Sequence, residues 1–149
     1  MTKHRAISFV ADIAAPPSRV FEVMLAPESW QDWTSAFDEE SRYEGTWKQG
    51  EQIRFLGPGG RGVLCEIEEL RPNAYVSLRH LGLLADGAED RTSEDARAWV
   101  GAREIYMFEA VRTGTQLEVE LQVPDEFEEY FRETWPEALE RLTELCEAE

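Results

Sequence analysis

Strand parity singles out two polar groups of this 149-residue chain, His80 and Glu104, that could move a proton within one apolar site. A buried carboxyl needs a partner, and an imidazole beside it can supply one while holding a perturbed pKa. Alternation over residues 74–81 sets His80 on one face with Val76 and Leu78. The same count over residues 102–111 groups Glu104 with Tyr106 and Phe108, so both polar groups are predicted to face inward. Arg79, on the opposite parity, is the competing inward residue, because a one-residue bulge reverses the face a strand presents. The second chemical signal is aromatic. Trp33, Trp47, Phe55, Trp99, Phe127, Tyr130 and Phe131 join Tyr106 and Phe108 as candidate walls of a ligand site, within a larger set that includes Trp30 and Trp135. Aromatic residues in a domain of this size mostly pack as core. Phe127, Tyr130 and Phe131 are the better ligand contacts, because they fall in the first half of a long helix.

Nucleophilic catalysis finds no support. No Gly-x-Ser-x-Gly elbow occurs, and Cys65 sits mid-strand without an evident neighbouring histidine, as an inert core thiol would. Cys65 and Cys146 have no further thiol or histidine at ligand spacing, which predicts two buried thiols rather than a disulfide or a zinc site. Gly57, Gly59, Gly60 and Gly62 are followed by neither Lys-Ser/Thr nor a helix start, so they serve a hairpin turn rather than a phosphate. The expectation is no catalytic residue, no metal and no cofactor.

These residues must be positioned by elements readable from period and punctuation. Ile7, Phe9, Ala11 and Ile13 share one parity, predicting a strand over 7–13. Pro16-Pro17 and Pro27 then open two short helices, the first over 18–25 and the second carrying Trp30, Trp33 and Phe37. Period two returns over 43–47, 52–56, 62–70, 74–81, 102–111 and 115–123, with turn residues between most of them. The polar, acidic stretch 82–97 is longer than a usual hairpin loop and reads as a lid, with Ser93 capping a turn of helix. From 125 to 147 the period becomes helical: Phe127, Phe131, Trp135, Leu139, Leu142 and Leu145 form one stripe, and Asp125 is the predicted N-cap. Pro136 removes one hydrogen bond of that helix and predicts a kink over 132–135, shaping the closed end of a cleft. The order gives an α+β domain: a curved antiparallel sheet of six to seven strands around a long C-terminal helix.

Composition limits the partners. Lys+Arg 15 against Asp+Glu 31 gives a formal net charge of -16, which repels phosphate backbones and anionic lipid, so neither nucleic acid nor a membrane is a predicted partner. Residues 125–149 alone hold ten of the acids, against Arg132 and Arg141. Five Trp, four Tyr and seven Phe exceed what a disordered acidic chain carries. Met1-Thr2-Lys3-His4-Arg5 runs straight into alternation with no apolar targeting segment, so a cytoplasmic, single-domain protein over residues 1–149 is expected, monomeric or homodimeric.

Ile13-Ala14-Ala15-Pro16 with Val20-Phe21, Pro27-Glu28 with Trp33, Gly114-Thr115-Gln116-Leu117, and Trp135-Pro136-Glu137-Ala138-Leu139 with Leu142 together resemble the START-like ligand-binding superfamily. The likeness is to its branch similar to the C-terminal domain of the Hsp90 ATPase activator. It implies a helix-grip fold with a deep pocket and a small hydrophobic or aromatic ligand between helix and sheet, bound without chemistry. Alternatives implied are a cyclase-like enzyme using Glu104, His80 and Tyr106 or Tyr130 for proton transfer, and a chaperone-related module presenting its acidic helix to a basic protein.

Overall fold

Alternation of apolar and polar residues builds eight strands among the residues described, which are 4–86 and 88–148 of the computed structural model. β1 (His4–Ile13) leads into α1 (Pro17–Leu25) and α2 (Pro27–Trp33), each opened by a proline whose missing N–H falls where a helix has no use for one. Then come β2 (Arg42–Glu44), β3 (Gln52–Leu56), β4 (Gly62–Arg71), β5 (Tyr75–Ala85), β6 (Ala88–Asp90), α3 (Glu94–Trp99), β7 (Arg103–Val111), β8 (Gly114–Pro124) and α4 (Glu128–Glu147). The sheet runs β1-β8-β7-β5-β4-β3-β2, with β6 folded back on β5, and all pairings are antiparallel. This is the helix-grip α+β architecture. α4 lies across β1 and packs on α1 and α2, burying Trp135, Ala138, Leu139 and Leu142.

Two bulges set which residues reach the core. Pairing passes from Leu64↔Gly82 to Cys65↔His80, so Leu81 is extra on β5. Before it Val76, Leu78 and His80 face the helices; beyond it Leu83 does so, while Leu64 and Leu84 turn to the outer face and form a small separate cluster with Leu56. Pairing also passes from Ile67↔Leu78 to Glu69↔Ser77, leaving Glu68 extra on β4. There it holds Arg103 through two oxygens at 2.8 and 3.1 Å. Bulges of this kind re-aim side chains near sites.

Three local expectations change. β2 stops at Glu44 rather than running to Trp47, because Gly45 has φ +132 and its backbone lies against Gln52 and Ile53 with no room for a Cβ to spare. The 82–97 lid is instead ordered structure: β5 continues to Ala85, β6 pairs back on it, and Ser93 caps α3 by accepting from Ala96 N at 3.1 Å. Gly87 of that segment lies outside the described residues. Asp125 does not cap α4. It begins a 3-10 turn (Asp125–Phe127) and pairs with Arg5 at 3.2 Å, so the helix starts at Glu128 without a side-chain cap. The helix runs unbroken through Pro136.

Candidate functional site

Between α2, α4 and the inner face of the sheet lies a cavity of about 260 Å³. Its wall is mostly aromatic, because large rigid rings from different elements meet edge to face rather than fill the space completely. α2 supplies Trp30 and Trp33, whose rings meet at 4.9 Å and 70°. The Trp33 indole is fixed by donating to the Met24 carbonyl at 3.0 Å. Trp30 stacks on Phe55 of β3 at 5.1 Å. α4 contributes Phe131 and Trp135, and Phe37 sits against Trp135 at 5.3 Å. α3 presents Trp99, which lies on His80 at 5.3 Å. The α3 end is tied to β5 by the backbone, His80 N donating to Ala102 O at 2.8 Å and Gly101 N to His80 O at 2.9 Å.

Glu104, Tyr106 and His80 are polar groups of the wall, which Thr34, Ser41, Arg103 and Gln122 also line. In register, Glu104 lies opposite Leu121 of β8 and Leu78 of β5, so its carboxyl emerges among aliphatic neighbours. The Tyr106 hydroxyl donates to Glu104 Oε2 in a short bond. Among the described residues no cation pairs with the carboxyl: Arg103, next in sequence, also lines the cavity, but its guanidinium is engaged by Glu68. Burial therefore pushes the Glu104 carboxyl up from 4.5 to about 7, with the Tyr106 hydrogen bond opposing only in part. Burial likewise raises Tyr106 well above the phenolic range, helped by the neighbouring carboxyl. His80 moves the other way, from 6.5 down to about 4, chiefly by burial and secondarily by His4, and its Nδ1 has no hydrogen-bond partner among the described residues. Glu104 and His80 share the cavity, but the carboxyl's partner is the phenol, and desolvation rather than a carboxylate sets the imidazole.

Of the residues proposed from sequence, Trp33, Phe55, His80, Trp99, Glu104, Tyr106 and Phe131 are on the wall. Four are not. Trp47 packs behind Trp30 at 5.7 Å, because the chain bends away after Gly45. Phe108 lies further along β7 and meets Phe21 of α1 at 5.4 Å. Phe127 belongs to the turn before α4 and covers the outer side of Trp99, 37% exposed; Tyr130 is 45% exposed and touches Phe131 from outside. Arg79 faces outward and pairs with Glu66 at 2.9 Å. Sequence reasoning missed Trp30, Phe37 and Trp135 as wall residues, although Trp135 follows Phe131 by one helical turn on the same stripe. Val63, Leu121 and Val123 carried no signal beyond strand parity. It also missed that Cys65 is level with His80, which the Leu81 bulge brings about. The Cys65 thiol is pushed well up by burial, then by Glu104, so it stays protonated.

A profile of the family described as Activator of Hsp90 ATPase homolog 1-like protein matches residues 14–147, nearly the whole chain. The chain belongs to that family. As an AHSA1-like domain it has the START-like fold, which provides a ligand-binding cleft of the kind described above. Protein MLL2253 from Mesorhizobium loti is similar at TM-score 0.74 and 18% identity, covering 95% of this chain and 96% of that one. CV1439 from Chromobacterium violaceum superposes at TM-score 0.73 with 19% identity over 97% and 98%. An Aha1 from Colwellia psychrerythraea, described as a dimer, gives TM-score 0.72 and 19% identity over 96% of both chains. No curated protein matches the AHSA1-like chain. Among its described residues no helix is long and apolar enough to cross a membrane, and no three His, Cys, Asp or Glu converge as metal ligands.

Proposed function

We propose that this protein binds one small apolar molecule, aromatic in character, in the cleft between α4 and the sheet, without covalent chemistry. The observation that carries the reading is a cavity of about 260 Å³ kept open by interlocked aromatic rings inside an otherwise close-packed core. A dry cavity of about 150 Å³ is enough for benzene, so this one suits a molecule of two fused or linked rings. The test is titration with N-phenyl-1-naphthylamine, a neutral probe whose emission rises in apolar surroundings. Saturation near 1:1, with quenching of tryptophan fluorescence through Trp30, Trp33 and Trp135, is the expected result. Absence of saturable binding at micromolar probe refutes the reading.

Proton-transfer catalysis is a second reading, favoured by one observation: a carboxyl poised near neutrality and held by a phenol is suited to general acid work. Turnover of a cyclisable substrate that disappears in Glu104→Gln would decide for it.

A further inference from the structure

Glu104 is a carboxyl on an apolar wall with one protein partner. Tyr106 occupies Oε2, and Oε1 has no hydrogen-bond partner among the described residues. The charged and titratable groups facing it are few. β7 provides Tyr106, β4 provides Cys65, and β5 provides His80, with His4 behind the imidazole. α2, α4 and β8 turn only uncharged side chains to the cavity. Arg103 of β7 also lines the cavity, but its guanidinium is engaged by Glu68 at 2.8 Å. A carboxyl so placed is cheapest as the neutral acid, which has an O–H to donate.

A second deficit points the same way. Among the described residues the Trp30 and Trp135 indole N–H groups, both of wall residues, are buried without an acceptor, and His80 Nδ1 is likewise unpartnered. An indole nitrogen can only donate. Two of these three atoms can only donate, and a carbonyl, which only accepts, relieves that deficit without adding a donor as a phenol or amine would.

We infer that the ligand carries a neutral carbonyl, as in an apolar aryl ketone, quinone or ester, and that Glu104, oriented by Tyr106, donates to that oxygen as a carboxylic acid. This rests on the cavity being the ligand site. Its polar atom, rather than its ring system, then decides which apolar molecules are retained. The elevation of the Glu104 carboxyl to about 7 places the neutral form within reach at ordinary pH. Deprotonation would set a carboxylate against the ligand oxygen and remove the preference.

Isothermal titration with 2-acetylnaphthalene, its hydrocarbon shape-mimic 2-isopropylnaphthalene, and 2-naphthol tests this. For the wild type at pH 5.5 the ketone should bind about tenfold tighter than the hydrocarbon, the worth of one hydrogen bond, and tighter than the naphthol. By pH 8.5 that ratio should collapse towards one. Glu104→Gln donates from its amide at every pH and should keep the ratio at both, whereas Glu104→Leu should show no preference at either. A wild-type ratio near one at pH 5.5, a ratio indifferent to pH, or tighter binding of the naphthol overturns the inference while leaving the cavity a ligand site. If none of the three molecules binds, the binding reading itself falls, and the inference with it.

Discussion

Replacing Glu104 by Gln should stabilise the empty protein at alkaline pH and leave it nearly unchanged in acid. The carboxyl sits at about 7 in the fold against 4.5 in a solvated chain. Below 4.5 both states hold the proton, and the group contributes nothing to the pH dependence. Between these values the unfolded chain releases a proton that the folded one keeps, so folding stability falls as pH rises, and the loss is complete above about 7. At about 1.4 kcal/mol for each pH unit of separation, the full penalty is on the order of 3 kcal/mol. Gln retains an oxygen to accept from the Tyr106 hydroxyl and carries no charge to bury, so the substitution removes that penalty without opening a void. His80 titrates in wild type and variant alike and cancels in the difference. Urea unfolding at pH 4.5 and pH 8.5 reads the result directly. With an m-value of about 2 kcal/mol/M for a domain of this size, the variant's midpoint at pH 8.5 should exceed the wild type's by about 1.5 M, and the two should nearly coincide at pH 4.5. Equal offsets at both pH values would refute the reasoning, since they would mean that Glu104 is solvated and ionises normally in the fold.

Burial of neutral His80 predicts the opposite slope: its folded value of about 4 against 6.5 means stability is complete above 6.5 and is lost as pH falls through 4. His80→Phe should remove about 3 kcal/mol of that acid sensitivity, and an unchanged acid limb in urea melts would place the imidazole in water. Pro136→Ala should leave probe affinity within about twofold, because Pro136 lines a groove with Phe9, Val10 and Leu139 rather than the cavity. Its melting temperature should rise by several degrees as the Arg132 carbonyl regains a donor; a tenfold change in affinity would return Pro136 to the cleft. Ser93→Ala deletes the cap of α3, costing about 1 kcal/mol, and should speed hydrogen exchange at Ala96 while weakening probe binding through Trp99. Unaltered exchange at Ala96 would show that Asp90, which already holds the Ser93 backbone, suffices to anchor the turn.

The sequence by itself determined the order of elements apart from β6, the antiparallel sheet gripped by a C-terminal helix, and the abundance of aromatic residues on inward parities. These are legible because burial on a strand or helix repeats with the local backbone period, so Ile7 to Ile13 or Phe131 to Leu142 declare their face without knowledge of their neighbours. It also placed Glu104 and Tyr106 on one side of one strand by the same count. Tertiary structure alone decided the rest. The Leu81 bulge exists only because β4 and β5 pair in a particular register, and that register turns Leu83 inward, Leu84 outward, and brings Cys65 level with His80. Gly45 turned Trp47 behind Trp30, and the turn at Asp125–Phe127 left Phe127 outside the wall that Phe131 completes. The partner of Glu104 and the sign of the His80 displacement were likewise invisible in one dimension. A carboxyl's hydration depends on which distant side chains surround it, and here α2 and α4, which close the cavity over it, are joined to β7 only by the fold.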